Sequence, residues 1–138
     1  MRKRDKFPKT FWIANIIELF ERFAWYGMFM LFALYLTGSK DTGALGFSQQ
    51  EKGLIMGPVV FFLYFLPVIT GAIADRFGYK KILLLAFGIM SAAYFMLAYA
   101  TTVPLVFSVF VFLAIGAALF KPVITATIAK STNDSNSS

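Results

Sequence analysis

Three ionisable residues lie inside an apolar stretch that runs from residue 11 to residue 36, and they are Glu18, Glu21 and Arg22. On insertion scales, an ionisable side chain at the centre of a membrane helix costs about 2.5–3.5 kcal/mol. A segment that served only as an anchor would carry leucine at these positions. Charges kept at membrane depth are typical of ion or substrate pathways, so these residues are the first candidates for chemistry.

The spacing of these charges places them on one helix face, about 140° wide, which Tyr26 and Phe29 share. Glu18 and Arg22 stand four residues apart, in the order that favours an ion pair. That pair leaves Glu21 without a partner on its own helix, so we expect Glu21 to be protonated or to pair with a more distant cation. The alternative is a self-neutralising pair that only fixes helix packing, in which Glu21 would have no role.

A candidate for that cation is Lys121, which lies in the last apolar stretch and is followed by Pro122. Lys121 precedes Lys130 by about a dozen Å of helix, at about 1.5 Å per residue. That distance is long for a lysine that only extends along the lipid to the interface, which is the alternative interpretation. We expect Pro122 to weaken the local helix and to open backbone carbonyls toward a cavity.

The composition indicates a membrane protein. The chain is 59% apolar and 14% charged, with a mean hydropathy of +0.71, whereas soluble domains carry about 25% charged residues. It has no cysteine and no histidine, which excludes disulfides, thiol nucleophiles, imidazole bases and most zinc sites. We therefore expect no metal, no cofactor and no enzymatic activity, and the basic residues flank apolar spans in a way that does not favour nucleic-acid binding.

Four apolar spans follow one another, each near the 20 or so residues that a hydrocarbon core requires. Backbone groups in lipid must be hydrogen-bonded within the segment, so the spans are expected to be helices. The sequence therefore predicts an all-α membrane fold with four transmembrane helices, a basic arm over residues 1–10 and a polar tail over residues 130–138. The predicted spans are about 11–36, 53–74, 82–100 and 104–129.

The basic residues are distributed unequally between the two ends of these helices. One end carries only Lys40 and Lys52, and the other carries the remaining nine that flank the spans. Because Lys and Arg collect on the cytoplasmic side, we expect a multi-pass protein of the plasma (inner) membrane with both termini in the cytoplasm. The nine are Arg2, Lys3, Arg4, Lys6, Lys9, Arg76, Lys80, Lys81 and Lys130.

The connection between the second and third spans has a specific pattern, G-x-x-x-D-R-x-G-x-K-K, which begins at Gly71 and includes Asp75, Arg76 and Gly78. The simplest interpretation is a short, positively charged loop. The pattern also resembles the signature loop between the second and third helices of the major facilitator superfamily.

Two further segments narrow the resemblance. Residues 18–27, ELFERFAWYG, resemble the ExxERFxYYG segment of the proton-coupled oligopeptide transporter family. Residues 116–122, GAALFKP, are similar to the G-x-x-x-x-K-P segment of that family's fourth helix. Tyr64, eleven residues before Asp75, falls where the family has a binding-site tyrosine. The matches keep the order of the chain and cover nearly all of it.

The resemblance implies a proton-driven symporter of small peptides or related solutes, with protons, a solute and the lipid bilayer as partners. It implies that Lys121 pairs with a glutamate of the first helix, and it assigns the remaining positions to three groups. These are proton coupling (Glu18, Glu21, Arg22, Lys121), substrate contact (Tyr26, Phe29, Tyr64) and a cytoplasmic gate (Gly71, Asp75, Arg76, Gly78).

The chain departs from the family at three points. Phe29 stands where the peptide transporters usually carry arginine, which implies weaker recognition of a peptide carboxylate. Trp25 replaces the first tyrosine of the YYG triplet. The family folds as two six-helix halves, and four spans correspond to the first third of that fold, so we expect an N-terminal portion whose partner is the remainder of the transporter.

Two other functional classes stay open at this point. One is a stand-alone four-span exporter that dimerises around a first-helix glutamate, although inverted dimers require a weaker charge bias. The other is a membrane subunit without transport activity, in which Glu21 and Lys121 would have no role. An integral-membrane enzyme is the class with the least support, because the residues specify no reaction.

Overall fold

The computed structural model describes residues 6–132. Its long helices are α1 (Lys9–Thr37), α2 (Gln49–Phe77), α3 (Tyr79–Leu97) and α4 (Val103–Lys130), and a 3-10 turn (Lys40–Thr42) follows α1. Each long helix could cross a membrane by length and composition, and residues 6–132 contain no β-strand. The prediction of an all-helical membrane fold with four spans is confirmed. The outer parts of the predicted arm and tail, residues 1–5 and 133–138, lie outside the described chain.

The ends of α2 follow from local chemistry. At its start, the Glu51 N–H donates to Ser48 Oγ at 3.1 Å and the Ser48 N–H donates to Glu51 Oε2 at 2.7 Å. This reciprocal pair satisfies two backbone donors that would otherwise lack partners. At the other end, only Gly78 separates α2 from α3, with a φ of 93° that other residues rarely adopt. The chain therefore passes from one span to the next through a single residue.

Helix α4 forms the centre of the bundle. About 56% of its apolar span is buried, against 22% to 28% in the other three helices. It packs against α1, α2 and α3, whereas α1 and α3 do not approach each other closely. Gly116 allows the contact with α3, because a Cβ atom at that position would lie 2.7 Å from Met90 Cγ. The other helices are thus positioned mainly through α4.

The backbone carbonyl that Pro122 frees does not open toward a cavity, contrary to the expectation from the sequence. α4 stays helical through Pro122. Because proline has no N–H, the carbonyl of Ala118, four residues earlier, lacks its helical donor. The hydroxyl of Thr70 on α2 donates to that carbonyl at 2.7 Å and is itself buried. The carbonyl that Pro122 leaves free is therefore used to join α2 to α4.

The outside of the bundle is covered by large apolar side chains, among them Phe23, Val68 and Phe95, which are all exposed. Such a continuous apolar surface is unfavourable in water and favourable in hydrocarbon. The polar residues that could do chemistry lie inside the bundle or on one of its faces.

Candidate functional site

Arg22 lies between the two glutamates of α1. Its Nη2 atom is 3.6 Å from Glu18 Oε1, and its Nε atom is 3.7 Å from Glu21 Oε2. Both distances describe ion pairs without a direct hydrogen bond. The expectation that Glu21 has no partner on its own helix is wrong, because the long guanidinium side chain reaches the adjacent residue as well as the one four positions earlier. Two carboxylates still share one cation, so one acid remains incompletely neutralised.

The members of this cluster differ in exposure. The side chains of Glu18 and Arg22 are 32% and 35% exposed, while that of Glu21 is 2% exposed. Within residues 6–132, Glu21 Oε2 accepts no hydrogen bond although it is buried. A buried carboxylate oxygen without a donor is costly, and such atoms are concentrated at functional sites. Glu21 is therefore the buried acid of the site and Glu18 the accessible one.

Glu21 faces a cavity of about 310 Å³ between α1 and α3, which Tyr94 and Ser91 of α3 also line. The Tyr94 hydroxyl is buried and, in the described chain, has no hydrogen-bond partner either. A tyrosine hydroxyl can donate to a carboxylate directly or through water, and the cavity has room and polar groups for water. Sequence reasoning missed Tyr94; its signal was a tyrosine well inside the apolar span 82–100, three residues after Ser91.

Lys121 does not pair with a carboxylate in this conformation. Its Nζ atom lies 4.8 Å from the centroid of the Tyr64 ring, and no glutamate or aspartate of residues 6–132 comes within 4.0 Å of it. Lys121 is half-buried on α4 and remains close enough to Glu21 and Arg22 for their charges to act on it. The structure therefore places Lys121 against Tyr64 and near the charged cluster of α1. The expected ion pair between Lys121 and a glutamate of α1 is not formed.

The aromatic residues of α1 divide between the bundle and its surface. Tyr26 is exposed, as is Tyr64. Phe29 is half-buried, and its ring lies 5.7 Å from that of Trp25 and 6.5 Å from that of Phe110 on α4. Tyr26 and Tyr64 are thus free to contact a solute or another helix, whereas Phe29 also contributes to packing.

The predicted gate residues lie at the end of α2, apart from the charged cluster. Asp75 and Arg76 are exposed; Asp75 accepts a hydrogen bond from the Tyr79 hydroxyl, and the Arg76 guanidinium lies 5.7 Å from the Phe77 ring centroid. Gly71 faces α4, and a Cβ atom there would lie 3.7 Å from Pro122 Cβ, an ordinary contact. Gly71 is therefore part of the α2–α4 contact, and the tight turn belongs to Gly78.

Comparison with known proteins agrees with this architecture. The profile of the Major Facilitator Superfamily matches residues 14–138. Over 125 residues the chain is 30% identical to "Dipeptide and tripeptide permease B" of Xenorhabdus bovienii, with 89% of this chain and 25% of that protein covered. It is 32% identical over 116 residues to the protein of the same name from Photorhabdus asymbiotica, with 83% and 23% covered.

A fungal relative extends the comparison. The chain is 30% identical over 106 residues to "Peptide transporter PTR_B" of Candidozyma auris, with 75% of this chain and 18% of that protein covered. No solved structure matches the chain at a significant level. The chain spans about a quarter or less of the length of these relatives, which are transporters and not enzymes. The chain belongs to the major facilitator superfamily, and its resemblance to the proton-coupled oligopeptide transporter family is confirmed.

Proposed function

We propose that these helices are the first four of a proton-coupled symporter for small peptides or related solutes. The observation that carries the proposal is Glu21, a buried acid that shares Arg22 with Glu18 and has an oxygen without a hydrogen-bond donor in the described chain. Intramembrane acids of this kind are typical of proton pathways. The relatives named above, which are peptide permeases and a peptide transporter, support the solute class.

The proposed coupling uses the competition for cations around Glu21. Without a proton, the ionised Glu21 carboxylate attracts both the Arg22 guanidinium and the nearby Lys121 ammonium group. A proton bound to Glu21 removes its charge. Arg22 then pairs with Glu18 alone, and Lys121 stays in contact with the Tyr64 ring. A change in these contacts between α1, α2 and α4 biases the equilibrium between two conformations, as population shift requires. Substrate would bind near the bilayer midplane, against Tyr26, Phe29 and Tyr64.

The proposal includes the orientation in the membrane and the gate. The end at which α1 and α3 begin would face the cytoplasm in the plasma (inner) membrane, because most of the Lys and Arg residues collect there. Asp75 and Arg76, at the end of α2, would then form part of the cytoplasmic gate, with Gly71 and Gly78 allowing the close helix contact and the turn.

The test uses a full-length transporter, because the chain covers about a quarter of its relatives. Residues 9–130 would replace the corresponding helices of the Photorhabdus asymbiotica permease, and the chimera would be reconstituted in proteoliposomes. An imposed proton gradient should drive accumulation of peptides or peptide-like solutes above equilibrium, and a protonophore should abolish it. A folded chimera that only equilibrates its solutes, with or without the gradient, would contradict proton coupling.

The same assay separates the stand-alone alternatives. Met1–Ser138 alone should insert into liposomes without accumulating any solute, because four helices do not supply the two halves that alternate around a central site. Saturable, gradient-driven accumulation by this chain alone would instead favour the small dimeric exporter.

A further inference from the structure

A second cavity lies far along the bundle from Glu21, at the end where α1 and α3 begin and α4 ends. Its volume is about 540 Å³, larger than that of the cavity beside Glu21. Lys80 of α3 and Lys130 of α4 line it, and Leu83 and Val123 supply apolar wall. We call it the basic cavity. None of its lining residues belongs to the proposed transport cluster.

The charge at this end of the bundle favours an anion. Among the described residues, this end carries six basic side chains and one acidic side chain, Asp75, whereas the opposite end has two of each sign. The Asp75 carboxylate accepts a hydrogen bond from the Tyr79 hydroxyl. The basic residues are Lys6, Lys9, Arg76, Lys80, Lys81 and Lys130.

One of the two lysines is held in place at the cavity. Lys130 Nζ lies 4.1 Å from the centroid of the Tyr79 ring, and the hydrogen bond to Asp75 fixes that ring in turn. A lysine ammonium group has three N–H donors, so donors remain for another acceptor while the group lies over an aromatic face. Lys80 is exposed and lines the same cavity. Two ammonium groups from different helices therefore border one space.

Backbone donors add to the lysines. α1 begins after Pro8 and α3 after Gly78, and neither start has a side-chain cap. The Phe11 N–H donates to the Pro8 carbonyl, and the N–H groups of Lys9 and Thr10 at the start of α1 and of Tyr79 and Lys80 at the start of α3 remain available. These starts also carry the positive ends of two helix dipoles. The hydroxyls of Thr127 and Ser131 instead donate to carbonyls of α4 itself. The available groups are thus donors and cations, as a phosphate requires.

We propose that the basic cavity binds the phosphate-bearing headgroup of an anionic phospholipid. The shared chemistry is an anionic phosphate, which a soluble phosphate would also supply. The lipid is favoured because the cavity lies at the ends of membrane-spanning helices, at the depth of headgroups, and because its apolar wall can accept the first methylenes of an acyl chain. This site does not depend on the proposed transport function.

The test is native mass spectrometry of purified Met1–Ser138 in detergent, with phosphatidylglycerol and phosphatidylcholine of identical acyl chains. Phosphatidylglycerol should bind more tightly, and Lys80→Gln with Lys130→Gln should weaken that binding by about tenfold or more. The double variant Lys40→Gln with Lys52→Gln removes the same charge from the opposite end and should bind normally. Lys80→Arg with Lys130→Arg keeps both positive charges and should bind phosphatidylglycerol as the unchanged chain does. Circular dichroism would verify that all variants remain helical.

Three results would overturn the proposal. The first is equal binding of the two lipids by the unchanged chain. The second is an equal loss in both double glutamine variants, which would mean that only total charge matters. The third is inorganic phosphate that binds as tightly as phosphatidylglycerol and with the same dependence on Lys80 and Lys130, which would overturn the assignment to a lipid.

Discussion

The ammonium nitrogen of Lys121 lies 4.8 Å from the centroid of the Tyr64 ring, so the cation in the middle of α4 rests on an aromatic face of α2. A contact of this kind contributes roughly 0.5–2 kcal/mol. An ion pair with Glu21 would compete with it at a comparable net free energy, since burial of charges offsets much of their attraction. Two alternative partners of similar strength are what a switch between two conformations needs.

We predict that Glu21→Gln and Lys121→Ala each abolish proton-driven accumulation in the full-length chimera. Glu21→Gln removes the acid that binds the proton, and Lys121→Ala removes the cation that neutralises the Glu21 carboxylate. Exchange of solute without a gradient should survive, because neither change blocks the substrate face. Lys52→Ala serves as the control, because it removes a lysine that lies outside the apolar spans, and it should leave accumulation unchanged. Concentrative uptake that is unchanged in both variants would reduce Glu21 and Lys121 to structural roles.

The fold was largely predictable from the sequence, because it depends on short-range rules. Apolar runs of about 20 residues, with backbone groups that must bond within their own segment, leave helices as the outcome. The position of Gly78 between two helices also follows from a local pattern. The central place of α4 was not predictable, because it depends on how buried small residues such as Gly116 meet side chains of another helix.

The site was predictable only in part. Glu18, Glu21 and Arg22 stood out as charges in an apolar run, but the contact between Arg22 and Glu21 contradicts the rule that adjacent helical residues do not face each other. A long, flexible guanidinium side chain can turn along the helix surface, which residue spacing does not describe. Tyr94 carries no charge, so only the three-dimensional arrangement of the helices reveals that its hydroxyl lines the same cavity as Glu21.

We predict that the loop after α1 lies outside the cytoplasm and that both ends of the chain lie inside. The physical reason is the excess of Lys and Arg at the end where α1 and α3 begin. Alkaline phosphatase, which is active only outside the cytoplasm, should be inactive when fused after Ser138 and active when inserted near Thr42. Activity at Ser138 and none at Thr42 would reverse the proposed orientation.

We predict that simple dipeptides with free carboxylates bind weakly, because Phe29 supplies no cation for the carboxylate. Phe29→Arg in the chimera should improve competition by such dipeptides about tenfold, since a hydrogen bond to a charged group contributes about 1.5–3 kcal/mol. Phe29→Leu changes the packing against Trp25 and Phe110 without a charge and serves as the control. The prediction fails when the unchanged site binds free dipeptides as tightly as peptides with a blocked carboxyl terminus.

We predict that Gly116→Ala destabilises the bundle although alanine is the better helix former. The new Cβ atom would lie 2.7 Å from Met90 Cγ and 3.2 Å from the Met90 backbone nitrogen, so α3 itself must move. Overpacking of this kind costs about 1–3 kcal/mol, more than the gain of up to about 1 kcal/mol in helix propensity. Gly88→Ala on α3 is the matched control, because a Cβ atom there meets nothing within 4 Å.

The measurement is unfolding of purified Met1–Ser138 by sodium dodecyl sulfate, followed by circular dichroism. Gly116→Ala should unfold at a lower detergent concentration than the unchanged chain, and Gly88→Ala should not. Equal stability of the two variants would contradict the prediction, because it would mean that α3 and α4 leave room for a Cβ atom at position 116.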